Sequence, residues 1–252
     1  MKYQQRKLIV ALSLCAAVVP SLASAVAISG QGTWESTLQG RDLDGNLATA
    51  EAYYDNALNI TWLADANYAH TSGYSAQGWM SWNTATAWAT ALEINGIAGW
   101  RLPTTVDVNN DGADYSDLYQ GMDTGFNITT HSEMSHMFYE TLGNTAWYDT
   151  TGAATGCTAP DYCLSNTGPF SNLLAENYWS STVIVTYYSV WGFTFGTGGQ
   201  GDLTMFSDNY AWAVHDGDIG LAIPSVPVPA AVWLFGSGLL GFVSVAKRNE
   251  VA

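Results

Sequence analysis

Gly99-Trp100-Arg101-Leu102-Pro103-Thr104 is the stretch from which the fold of this 252-residue chain is read. An aromatic, a guanidinium and a proline follow one another, and the proline forbids a helix through its own position and biases the residue before it to extended backbone. The segment therefore reads as a turn. Arg101 reads as structural, because its planar fork suits neighbouring carbonyl oxygens or a carboxylate. Upstream, Asn83 to Ile94 reads as a helix: Ser81 or Asn83 caps it, Ala85, Trp88, Ala89 and Leu92 form an inner stripe, and Asn95-Gly96 ends it. Further upstream, Tyr53-Tyr54-Asp55 and Leu58 to Leu63 read as a hairpin whose alternation puts Leu58, Ile60 and Trp62 on one face. Downstream, Ser132 to Leu142 reads as a second helix, with Met134, Met137, Phe138 and Leu142 as its apolar stripe. Tyr178-Trp179-Ser180-Ser181-Thr182 reads as a strand with small polar residues facing a neighbour. The pattern is α+β: a twisted, largely antiparallel sheet with about two helices.

Composition permits a packed core, since 48% of residues are hydrophobic and 13% aromatic. The aromatics are rich in Trp and Tyr, which suits strands and binding faces more than helical bundles. Charge is sparse and lopsided. Of seven Lys and Arg residues, Lys2, Arg6, Lys7, Lys247 and Arg248 lie at the ends. The body keeps Arg41 and Arg101 against every acid except Glu250. Such a surface cannot replace the counterions of a polyanion, so nucleic acid is excluded as a partner. It fits cations, neutral sugars or a basic partner, or simply keeps a secreted protein in solution.

Lys2, Arg6 and Lys7 precede an apolar segment from Leu8 to Val19, Pro20 breaks it, and Ala23-Ser24-Ala25 offers small residues for cleavage. This is the pattern of a secretory signal peptide over 1–25, cut after Ala25 or after Ala27. Leu14 stands before Cys15 where a lipoprotein needs a small residue. At the other end Ala230 to Ala246 is an apolar run that reaches about 26 Å as a helix, enough for a thin hydrocarbon core. Lys247 and Arg248 follow and would stay cytoplasmic. Pro224, Pro227 and Pro229 mark an extended approach to that span. Val226-Pro227-Val228-Pro229-Ala230, the single span and the short basic tail together resemble the PEP-CTERM sorting signal in its VPxPA-type variant, over 223–252. Val228 is a mild departure, since Leu is more usual there. The resemblance implies an exosortase-type transpeptidase as partner, a transient transmembrane anchor at 230–246, and release to the cell envelope or the extracellular polysaccharide matrix.

Two acidic stretches read as candidate cation loops. After Thr104 an insertion, about 105–130, places Asp107, Asn109 and Asp111 before Gly112, the first half of a calcium loop. The bidentate acid of the last place is missing, with Asp114 or Asp117 as substitutes. An Asp- and Asn-rich surface turn accounts for the same residues. Earlier, Asp42, Asp44, Gly45 and Glu51 fall at the third, fifth, sixth and twelfth places of an EF-hand-like register. Gly40 stands at the first place and brings no side chain, so a solvated turn is expected. Calcium is therefore the one cofactor in view. His131 and His136 lie on different faces of a helix and form no zinc spacing. Cys157 and Cys163 enclose a short loop and are expected to form a local disulfide.

The order of Leu58 to Leu63, the helix, Gly99 to Thr104 and Tyr178 to Thr182 resembles the C-terminal domain of the Legionella collagen-like proteins. The resemblance covers most of 55–222, with 26–54 as N-terminal strands and turns. It implies a Trp-containing strand at Ser189 to Phe195, a Gly turn at Gly196 to Gly201 and a closing strand at Tyr210 to Gly217. The Arg-Leu-Pro-Thr turn is also similar to the sulfatase-modifying-factor branch of C-type lectin-like folds, which implies a C-type lectin-like fold here. That collagen-like domain is associated with sulfated polysaccharides, and two basic side chains do not suit that ligand class. No Gly-x-Ser-x-Gly elbow surrounds Ser180-Ser181, and a closing turn explains His215-Asp216-Gly217-Asp218 as well as an acid–base pair does. The expected function is a non-enzymatic, exported envelope or matrix protein that binds carbohydrate. The alternatives are a structural matrix component and an enzyme on a sulfatase-modifying-factor-like fold.

Overall fold

The computed structural model describes residues 32–107, 129–149, 151–184 and 188–223. They form an α+β arrangement of two mostly antiparallel sheets and four short helices. A single turn, α1 (Trp34–Thr37), leads into β1 (Leu38–Asp42), β2 (Ala52–Asp55) and β3 (Ile60–Leu63). α2 (Tyr68–Thr71) and β4 (Trp79–Met80) precede the longest helix, α3 (Trp82–Ala91), and then β5 (Trp100–Arg101). α4 (Glu133–His136) runs into a π-helical turn, Met137–Thr141. The rest is strand: β6 (Asn177–Ile184), β7 (Ser189–Thr194), β8 (Gly199–Thr204), β9 (Asn209–Tyr210), β10 (Val214–Asp216) and β11 (Leu221–Ala222).

The first sheet runs β11-β1-β2-β3-β10-β5 and the second β4-β9-β6-β7-β8. Every named pair is antiparallel except β6 with β9, joined at Tyr178 and Tyr210. The expected single sheet is thus two. β1 and the first three residues of β2 fall within 26–54, and both strands pair in the first sheet.

The hairpin expected before Leu63 is present as β2–β3, with Tyr53 opposite Trp62 and Tyr54 opposite Thr61. Its one-faced alternation is not: all four residues of β3 are buried. The reason is position, since β3 lies between β2 and β10 and both its faces are covered.

α3 starts after Ser81, and Ala85, Trp88 and Ala89 are buried as their helical spacing requires. It ends earlier than Asn95-Gly96. Leu92 is already extended (ψ 127°). Asn95 and Gly96 have φ of 50° and 84° and form the two-residue turn of a small hairpin that bridges Ile94 to Ile97. Asn-Gly serves both a helix end and a tight hairpin because both need left-handed backbone, and here the hairpin uses it. In the second helix Ser132 accepts a hydrogen bond from Ser135 N at 3.3 Å, which caps the first turn. Met134, Met137, Phe138 and Leu142 are all fully buried.

The core joins both sheets. Trp62, Trp179, Trp191 and Trp212 are inaccessible to solvent. Trp212 packs on Trp62 at 4.5 Å and edge-on to Phe170 at 4.7 Å between ring centroids. It lies where the chain crosses from β9 to β10, and its Nε1 donates to Leu63 O at 2.8 Å. The Trp content thus builds the interior more than a binding face. Cys157 and Cys163 form a disulfide, Cα to Cα 5.0 Å, and Cys163 N donates to Gly196 O, which pins the loop to the β7–β8 turn. Asp55 is wholly buried at the end of β2, where its Oδ1 accepts from Ala57 N and Leu58 N. Burial pushes its carboxyl above the ordinary aspartate value, and those amides draw it part of the way back.

Candidate functional site

Arg101 leaves β5 next to β10, and its fork binds two acids from distant segments. Nη1 and Nη2 donate to Glu133 at 2.9 and 2.7 Å, while Nε and Nη2 donate to Asp216 Oδ1 at 2.9 and 2.6 Å. Burial works against its charge, but the two acids outweigh that and hold the guanidinium firmly protonated. Glu133 also accepts from Thr104 N at 2.7 Å. Arg101 thus clamps β5, α4 and β10 and leaves no donor set for a substrate anion.

The turn after Arg101 lies along β6. Between Trp179 and Val183 the β6–β7 register shifts, and this bulge turns to Pro103-Thr104-Thr105 instead. Ser181 N donates to Pro103 O at 2.8 Å, Thr182 Oγ1 to Thr105 O at 2.7 Å, and Thr105 N to Thr182 Oγ1 at 3.0 Å. The hydroxyls of Ser181 and Thr182 therefore hold the turn. His215 has both ring nitrogens on backbone carbonyls, Nε2 with Ala98 O and Nδ1 with Asp216 O. The adjacent Asp216 pairs with Arg101, and Asp218, three residues on, pairs with Arg41.

The β1–β2 turn is exposed over 44–49, as a solvated turn should be, but its base at Asp42 is not. Asp42 is 2% exposed, and one carboxylate oxygen each from Asp42, Asp44 and Glu51 lie within 4.8 Å of one another. What buries Asp42 is β11, whose Leu221 pairs with it, and Gly220 just before. Gly220 has φ +82°, and a Cβ there would sit 2.8 Å from Asp42 O and 2.5 Å from Leu43 Cδ2. A glycine is therefore needed for β11 to close on β1.

Asp107 is half-buried after Thr105, whereas Asn109, Asp111, Asp114 and Asp117 lie outside the described residues. So do the signal segment with Ala25, the sorting motif Val226, Pro227, Val228, Pro229, Ala230 and the apolar run 230–246. Among the described residues no helix is long and apolar enough to cross a membrane. His136 Nδ1 meets Thr129 O at 3.1 Å, and His131 is exposed.

A shallow cleft of about 430 Å³ opens beside α2 and the end of α3, lined by Tyr68, Ser72, Tyr74, Trp88, Leu92 and Glu93. Gly73, at φ +78°, turns the chain so that Tyr74 projects, 53% exposed, over the buried Trp88 at 6.4 Å. The Glu93 carboxylate and the Ser72 and Tyr68 hydroxyls make no hydrogen bond among the described residues. An apolar ring face beside free acceptors and donors is the arrangement that a sugar's C–H face and hydroxyls require. Sequence reasoning did not select these residues. They come from two elements, and exposure of Tyr74 follows from the turn after α2. Tyr188 and Phe206 form a second exposed pair, 71% and 70% accessible and 5.8 Å apart, at the outer end of the β7–β8 pair.

Fold and site together define an α+β domain with a polar-clamped turn, an acidic turn and an aromatic cleft. No protein-family model, no curated protein and no solved structure matches the chain.

Proposed function

We propose that this chain is an exported cell-envelope or extracellular-matrix protein whose folded body is a non-enzymatic, carbohydrate-binding module of C-type lectin-like kind. The observation that carries the binding reading is the cleft under Tyr74, with its exposed ring, Glu93 carboxylate and unpaired hydroxyls. A neutral or cationic ligand is required, since Arg41 and Arg101 are both engaged by acids and no other Lys or Arg lies in 32–223. The non-enzymatic reading is supported by the structural use of Ser181, Thr182 and His215 and by the pairing of Cys157 with Cys163. Export and release rest on the sequence pattern of the two ends, an exosortase being the processing partner and the membrane a temporary one. A structural matrix component is the second reading, favoured by the burial of six Trp side chains, four of them completely, that a binder could have displayed.

Titration of the purified protein with a panel of neutral oligosaccharides, with calcium and with chelator, tests the cleft. Tyr74→Ala is expected to weaken binding about tenfold, the worth of one aromatic stacking contact. Its melting temperature stays within about 2 °C of wild type, because the ring is half in solvent. No binding under either condition would favour the structural component, and unchanged binding by Tyr74→Ala would remove the cleft from the site.

A further inference from the structure

From the acidic turn between β1 and β2 we infer that Asp42, Asp44 and Glu51 hold a divalent cation, calcium by their chemistry, which closes the β1–β2 turn onto β11. Each carboxylate is anchored through one oxygen to a backbone amide of the same turn. Asp42 Oδ1 accepts from Asp44 N and Gly45 N at 2.9 and 2.7 Å, Asp44 Oδ1 from Asn46 N at 2.8 Å, and Glu51 Oε2 from Leu43 N at 3.0 Å. The second oxygens of all three make no hydrogen bond among the described residues. For Asp44, which is exposed, water serves. For Asp42 it does not: Oδ2 is sealed inside the protein without a donor, on a side chain 2% exposed.

A buried carboxylate oxygen with no donor is unfavourable, and two further carboxylates beside it add repulsion. The nearest cation does not relieve this. The Arg41 guanidinium turns away to Asp218, Gln39 Oε1 and its neighbour's carbonyl, Gly40 O. A bound cation resolves all of it at once. Oxygen donors with no sulfur or imidazole select a hard ion, calcium, magnesium or manganese. Calcium–oxygen bonds of about 2.4 Å let two ligands of one ion stand up to about 4.8 Å apart, and the three oxygens all lie within 4.8 Å of one another. The sequence register agrees, with Gly45 at φ +90° in the sixth place, where the loop must turn sharply. What differs is the frame, strands on both sides instead of helices.

The test uses the full chain and calcium chloride against chelator. The melting temperature is expected to rise by about 5 °C or more at ~1 mM calcium, and by less with magnesium. Glu51→Gln keeps the acceptor for Leu43 N and so folds, but loses at least about tenfold in calcium affinity by calorimetry. In chelator Asp42→Asn melts at or above wild type, because it removes a buried charge while sparing the turn. In calcium it no longer gains. A paired Asp107→Asn, Asp111→Asn variant retains the wild-type response. No calcium response in the wild type, a wild-type response in Glu51→Gln, or loss of the whole response in the paired variant would each overturn the assignment.

Discussion

Replacing Trp212 by alanine removes about 4 kcal/mol of stability, within the range measured for large-to-small changes at fully buried aromatic sites. The melting temperature falls by about 10 °C for a domain of this size. Three losses combine. The indole is inaccessible to solvent and touches Trp62, Phe170, Tyr178 and Phe195, so a cavity forms at the junction of both sheets. Leu63 O loses its Nε1 donor. The crossing from β9 to β10 loses the ring that fills it, between Ala211 and Ala213, which are nearly inaccessible themselves. Trp212→Phe is expected to lose less than half as much. Chemical denaturation of both variants checks this. Equal losses would show that the hydrogen bond to Leu63, which Phe also lacks, outweighs the volume.

Arg101→Met costs about 2 to 3 kcal/mol, with the cost falling on Glu133. That carboxylate is 14% exposed and keeps only Thr104 N and water after the change, whereas Asp216 is 77% exposed and resolvates. Asp216→Asn alone is accordingly expected to cost under about 1 kcal/mol. Arg101→Lys recovers little, because an ammonium cannot serve two carboxylates with a planar fork. Denaturant unfolding of the three variants in low and high salt reads the difference. A larger loss for Asp216→Asn than for Arg101→Met would contradict the burial argument.

Both residues show how far the sequence could be read. Arg101 was legible as structural from its own turn, since a guanidinium before Leu-Pro needs fixed acceptors. Its partners were not, because Glu133 and Asp216 lie 32 and 115 residues away. The stripe Met134, Met137, Phe138, Leu142 was legible from helical period, and burial follows it. The π-helical turn inside it has no such signal. Asn95-Gly96 was readable as a left-handed turn but not as which kind. The acidic turn shows the same limit. Its spacing is visible in the chain, while burial of Asp42 depends on Gly220 and Leu221 returning as β11 from the far end of the domain. Exposure of Tyr74 over Trp88 likewise arises only when α2 and α3 pack. Local chemistry is written locally, and the environment that gives it a purpose is assembled from remote strands.

The proposed function makes residues 32–223 an ectodomain delivered outside the inner membrane and freed from its tail. Fractionation of native cells with intact-mass measurement of the protein tests it most directly. The expected result is a species in the envelope or medium that begins just after Ala25 or Ala27 and ends near Ala230. A chain still ending at Ala252 and confined to the inner membrane would contradict it.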